Sequence, residues 1–147
     1  MKYLDFKNAV LNKIKTASDP DEIKILRTAL AAIQKKAKDQ KITESQIPED
    51  LVNEVLLKEV KEAQESLDAC SSTDERNKTY YTYRKDILKQ YAPSVIEDEK
   101  EIKDIINSLN IELVKANRGK LNKAVSALYK NKINMRKVNE YLSRALI

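Results

Sequence analysis

The stretch Asp19-Pro20-Asp21-Glu22-Ile23-Lys24-Ile25-Leu26-Arg27-Thr28-Ala29-Leu30-Ala31-Ala32-Ile33-Gln34-Lys35-Lys36-Ala37 decides the fold class. Asp19 can cap a helix, Pro20 takes the first helical position, where its missing N–H costs nothing, and Glu22 follows the cap by three residues. Ile23, Leu26, Leu30, Ile33 and Ala37 keep a three-four rhythm, so they form one apolar stripe that runs to about Gln40. Lys35, Lys36 and Lys38 suit the negative end of the helix dipole.

The same pattern extends in both directions. Upstream, Phe6, Val10, Ile14 and Ala17 predict a first helix, joined to the second by a connection so short that the two must be antiparallel neighbours. Downstream, a polar loop from Lys41 to Ile47 precedes a stripe of Val52, Leu56, Val60, Ala63, Leu67 and Cys70. Ser72 and Glu75 then read as a capping box for a fourth helix carrying Tyr80, Arg84, Ile87 and Tyr91, with Tyr83 and Leu88 beside them, until Pro93 stops it.

Shorter segments follow. Asp98 and Glu101 open a helix with Ile102, Ile105, Ile106 and Leu109. Leu121, Ala124, Val125 and Leu128 mark a sixth helix after Gly119, and Asn134 caps a last one bearing Val138, Tyr141, Leu142 and Ala145. The expected fold is all-α with two helical lobes: an N-terminal antiparallel four-helix unit over 1–92 and a smaller basic three-helix lobe over 93–147.

Composition narrows the function. Among 147 residues there are one Gly and three Pro, too few for the turns of a β fold or for a glycine-rich phosphate loop. No His is present and Cys70 is the only Cys, so Ser-His and Cys-His triads and Cys/His zinc sites cannot be built. No apolar run approaches the roughly 18 residues of a membrane span. Met1-Lys2-Tyr3-Leu4-Asp5 lacks the apolar core of a signal peptide. A soluble, cytoplasmic protein with no cofactor, no metal and no membrane partner is expected.

Charge is segregated. Residues 1–114 hold 19 basic against 22 acidic residues, whereas residues 115–147 hold nine basic residues against Glu140 alone. Clustered Lys and Arg neutralise phosphates and release counterions, so Lys115, Arg118, Lys120, Lys123, Lys130, Lys132, Arg136 and Lys137, with Arg144, are candidate nucleic-acid contacts. Helical domains also carry Lys-rich solvated faces for solubility alone. Three other clusters read as structural. Tyr80, Tyr81 and Tyr83 could stack bases but fall on or beside a core stripe. Glu97, Asp98, Glu99 and Glu101 complement a helix dipole, and Cys70 is a small core hydrophobe with no base to activate it.

Several segments together resemble the YqeY-like proteins, which are similar to the tail domain of GatB, a subunit of the glutamyl/aspartyl-tRNA amidotransferase. Ile25-Leu26-Arg27-Thr28-Ala29-Leu30-Ala31-Ala32-Ile33 resembles the family's second helix. Val55-Leu56-Leu57-Lys58-Glu59-Val60-Lys61, continuing to Glu65-Ser66, resembles its most recognisable one, and Tyr91-Ala92-Pro93 stands where Tyr-Leu-Pro is usual. Gly119-Lys120-Leu121-Asn122-Lys123-Ala124-Val125 resembles the Met-Gly-x-Val-Met turn. Lys132-Ile133-Asn134-Met135-Arg136-Lys137-Val138-Asn139 is similar to Gly-Lys-Ala-Asn-Pro-x-x-Val-Asn, with Asn131 in place of the Gly and Met135 in place of the Pro.

The resemblance implies an all-α, two-lobed protein whose relative in GatB contacts the body of a tRNA and helps present it for amidation. The free-standing family carries a carbon-nitrogen ligase label with glutamine as amido donor, yet this chain offers no activated nucleophile or ATP loop. A non-catalytic module binding tRNA or another RNA is the first reading. The alternative is a protein-interaction adaptor docking on an amidotransferase or synthetase through a groove between the lobes. A direct part in glutamine-dependent carbon-nitrogen ligation ranks third.

Overall fold

In the computed structural model, which describes residues 1–130 and 132–146, the Asp19 signal works as its chemistry requires. The Asp19 carboxylate accepts from the Asp21 backbone N–H at 3.2 Å, and Pro20 is the first helical residue. Among the described residues there are seven helices: α1 (Tyr3–Lys15), α2 (Pro20–Asp39), α3 (Glu49–Ala69), α4 (Glu75–Lys89), α5 (Glu99–Ser108), α6 (Arg118–Leu128) and α7 (Met135–Ala145). Short 3-10 turns lie at Glu44–Gln46 and Lys115–Asn117. The fold is all-α, with α1–α4 in one compact unit, Met1–Pro93, and α5–α7 in another, Ser94–Ile147. No described helix is long and apolar enough to cross a membrane.

Capping explains most helix starts. Asp98 accepts from Glu101 N–H at 3.4 Å to open α5, and Asn134 Oδ1 accepts from Arg136 and Lys137 N–H at 3.0 and 3.4 Å to open α7. The fourth start differs from expectation. Asp74, not Ser72, caps α4, accepting from Asn77 N–H at 3.3 Å. A turn from Ser71 to Asp74, with Asp74 N–H on Ser71 O at 3.0 Å, holds Ser72 two residues ahead of the cap position, which Asp74 occupies. Gly119 likewise lies inside α6 as its second residue rather than ahead of it.

Helix ends show what a shortage of glycine does. Ala17, Lys41 and Asn110 sit at φ values of 51°, 58° and 55°, the left-handed conformation that glycine would adopt without penalty. At the first, Ser18 N–H reaches Lys13 O at 3.1 Å and Ala17 N–H reaches Ile14 O at 3.2 Å, a Schellman closure. Ala17, expected on the buried stripe, is therefore exposed beyond the end of α1. Lys41 repeats the motif, with Ile42 N–H on Ala37 O at 2.8 Å.

The N-terminal core is built on Phe6, Leu26, Ile33, Val52, Leu56 and Leu88, all fully buried. Phe6 meets the Tyr91 ring edge-on, centroids 5.5 Å apart. Lys13 pairs with Glu22 at one end of the α1–α2 pair, and Gln34 donates to Tyr3 at the other, so the two helices run antiparallel. The buried stripe of α2 is rotated slightly from expectation: Ile25 and Ala29 are buried, whereas Ile23 and Leu30 are half-buried. Between α3 and α4, Glu59 is buried and receives Arg84 Nη2 at 2.8 Å.

The C-terminal core comprises Ile102, Ile106, Leu121, Val125, Ile133, Val138 and Leu142. Leu128, expected inside, is 65% exposed. Just before α7 the backbone makes a parallel bridge, Ile96 N–H to Lys132 O at 2.8 Å and Asn134 N–H to Ile96 O at 2.9 Å. The turn at Asn131 lies outside the described residues.

Two stability outcomes follow from these placements. Glu59→Ala strands a mostly buried guanidinium, and urea unfolding should register a loss of about 2–3 kcal/mol, while Glu59→Leu with Arg84→Met should recover most of it. An unchanged midpoint in the single variant would show that the pair adds nothing. Lys41→Gly relieves a left-handed non-glycine residue and should gain about 0.5–1 kcal/mol by the same assay; a loss would contradict the closure described here.

Candidate functional site

Unit Ser94–Ile147 holds 11 basic and seven acidic residues, and its charge is divided between elements rather than spread. Five of the acids cluster in and just before α5 (Glu97, Asp98, Glu99, Glu101 and Asp104), which also carries Lys100 and Lys103, while α6, α7 and the segments flanking α6 carry the other nine bases. How free those bases are depends on the seam between α6 and α7. Arg118 donates through Nη2 to Asn139 O at 3.3 Å and to Ser143 Oγ at 3.0 Å. One turn on, Asn122 Nδ2 donates to Asn139 Oδ1 at 2.7 Å, and the buried Asn122 Oδ1 has no partner.

The nine candidate bases of residues 115–147 therefore separate into classes. Arg118 is drawn inward as a clamp between two helices. Arg136 and Lys137 share Glu140, at 3.6 and 3.8 Å, and Arg144 pairs with Glu99 at 2.7 Å. Lys115, Lys120, Lys123, Lys130 and Lys132 are exposed and form no ion pair among the described residues. On α6, Lys120 and Lys123 stand one turn apart, roughly 120–180° round the helix from the edge that Arg118 and Asn122 turn toward α7. Lys132 is exposed while its own carbonyl is pinned by Ile96.

The segment that resembles the GatB tail pattern acquires a structural role. Asn134 caps α7 and donates through Nδ2 to Glu97 at 3.2 Å, Val138 is fully buried, and Asn139 completes the seam with Arg118 and Asn122. None of these three side chains is spare for a ligand. The lysines around them are.

The other clusters are occupied. Tyr80 and Tyr83 pack against the N-terminal core, and the Tyr83 hydroxyl donates to Asp19 at 2.9 Å; burial first, and that carboxylate second, push its pKa up to about 12. Tyr80 and Tyr81 meet edge-on at 5.4 Å. Asp98 caps α5 and Glu99 holds Arg144. Among the described residues no group of three or more His, Cys, Asp or Glu side chains is arranged to hold a metal ion. Cys70 is half-buried just past α3, its thiol on Ser66 O at 3.2 Å.

Two features of the N-terminal unit escape sequence reading. Tyr3, buried on α1, donates to Glu44 at 2.9 Å, and Lys7 bonds the same carboxylate, beside a cleft of about 620 Å³. The Lys7 ammonium holds the Glu44 carboxyl below its usual range, helped by the Tyr3 hydroxyl. Glu44 lies in a polar loop 37 residues from Lys7, and no periodicity joins them. A second cleft, of about 630 Å³, opens where α1 turns into α2, lined by Ile14, Ile23, Lys24 and Arg27 among others. Its only trace in the sequence is Ile23, an apolar residue that the core does not fully use.

No curated protein matches the chain significantly. The family model described as Yqey-like protein matches residues 5–146, which takes in α1 from its third residue and all of α2–α7. That span covers the capped α7 turn and the α6–α7 seam as well as the four-helix unit, and the chain belongs to the Yqey-like protein family.

Proposed function

We propose that the protein is a non-catalytic helical module that binds tRNA, or another structured RNA, by its phosphate backbone. The observation that carries this reading is the set of five exposed lysines, Lys115, Lys120, Lys123, Lys130 and Lys132, which have no carboxylate partner among the described residues, in a segment whose only acidic side chain, Glu140, is engaged elsewhere. Each can neutralise one phosphate and release its counterions. The similarity to the GatB tail, which contacts the body of a tRNA, supports the same reading. In that setting a cytoplasmic amidotransferase or synthetase supplies the chemistry.

Recognition would follow backbone and shape. Lysine ammoniums are point charges without the bidentate fork that reads a guanine edge, and Tyr80 and Tyr83, which could stack on bases, pack against the other unit's core. The acidic start of α5 repels phosphate and confines an RNA to the α6 side of this unit. A part in glutamine-dependent ligation would need a nucleophile and a base. The one thiol donates a hydrogen bond to the Ser66 carbonyl oxygen, and the chain has no His.

Titration of the protein with total tRNA tests the reading. Affinity should fall about a hundredfold between 50 and 200 mM salt for four or five phosphate contacts. Lys120→Glu with Lys123→Glu should lower the slope of log affinity against log salt by about 2, whereas Arg136→Glu with Lys137→Glu should lower it less, because Glu140 already partly neutralises both. Binding that ignores salt, or is absent at low salt, would contradict the proposal. Arg118→Ala should reduce thermal stability instead, by about 1–2 kcal/mol, through loss of the α6–α7 clamp.

A further inference from the structure

The cleft at the α1–α2 turn has a composition unlike the lysine surface of the other unit. Ile14, Ala17, Pro20 and Ile23 supply apolar wall, and Lys24 and Arg27 stand beside them one helical turn apart. No carboxylate lines it. Of the acids at the start of α2, Glu22 pairs with Lys13 at 2.9 Å and Asp19 accepts from the Tyr83 hydroxyl at 2.9 Å, while Asp21 is exposed and does not line the cleft. Among the described residues Lys24 and Arg27 form no ion pair. Leu11, one turn before Ile14 on α1, is 46% exposed and prolongs the apolar surface.

We propose that this cleft is a docking site for an acidic, amphipathic helical segment of a partner protein. Its volume of about 630 Å³ falls within the range of ordinary binding pockets and suits two or three apolar side chains from one helix face. Carboxylates flanking that face, spaced one turn apart, match the spacing of Lys24 and Arg27. Charge and apolar surface together select this occupant over RNA. Two cations are too few for a phosphate track, and no aromatic ring lines the cleft to stack a base. The site lies on the N-terminal unit and shares no residue with the α6 lysines.

The test is an amide-shift titration of the full-length isotope-labelled protein with a short synthetic peptide that forms a helix with leucines on one face and glutamates flanking them. A twin with lysines in place of the glutamates and a short single-stranded RNA serve as comparisons. The glutamate peptide should shift amides between Leu11 and Thr28. Lys24→Glu with Arg27→Glu should weaken it about tenfold or more, and Ile23→Ser should also weaken it; all three side chains are at least partly exposed, so the fold persists. The proposal fails if neither peptide binds, if the lysine twin binds as well, or if the RNA perturbs these amides more strongly than the peptide. Failure here leaves the tRNA reading standing, because that reading is scored on residues 115–137.

Discussion

Among the described residues the C-terminal unit has seven buried side chains with which to hold three short helices, and the backbone bridge from Ile96 to the 132–134 segment supplies what the small core cannot. Small cores need such staples. With Ile96 paired on both sides of Ile133, the start of α7 is fixed, Asn134 reaches its cap position, and Val138 and Leu142 meet Ile102, Ile106, Leu121 and Val125. Arg118 and Asn122 then tie α6 to α7, and Glu99 ties Arg144 to α5. The functional consequence is indirect. Polar residues spent on holding the unit together are not available to a ligand, whereas five exposed lysines form no ion pair among the described residues.

The N-terminal unit has the opposite economy. Its core includes Phe6, Leu26, Ile33, Leu56 and Leu88, all fully buried, and it still leaves Leu4 and Leu11 in water. A core of that size tolerates a buried ion pair between Glu59 and Arg84, which a smaller one would carry only at a heavier fraction of its stability. Surplus apolar surface beside unpaired cations is then the notable feature, since exposed hydrophobic side chains rimmed by charge mark interaction surfaces in soluble proteins.

Helix positions were legible because the signals are local. Asp19-Pro20, Asp98 and Asn134 act within three residues of themselves, and apolar spacing of three and four is read directly along the chain. Errors arose where two local signals competed, as with Ser72 and Asp74, or where a stripe was extended past a helix end, as at Ala17 and Leu128. The division among the basic residues was not legible at all. That Arg118 turns inward while Lys120 and Lys123 turn outward depends on where Asn139 and Ser143 lie, some 20 residues further on. The same holds for the pairing of Glu44 with Tyr3 and Lys7. Family resemblance identified the α7 turn as a recurrent pattern, and the structure assigns its Asn134, Val138 and Asn139 to architecture.

Photochemical cross-linking of the full-length protein to tRNA, with the attached peptides located by mass spectrometry, tests the central claim most directly. Cross-links concentrated on the segments carrying Lys115, Lys120, Lys123, Lys130 and Lys132, and sparse on α5 and on α1–α4, are the predicted result. Cross-links confined to the N-terminal unit, or spread evenly over every exposed lysine of the chain, would contradict it.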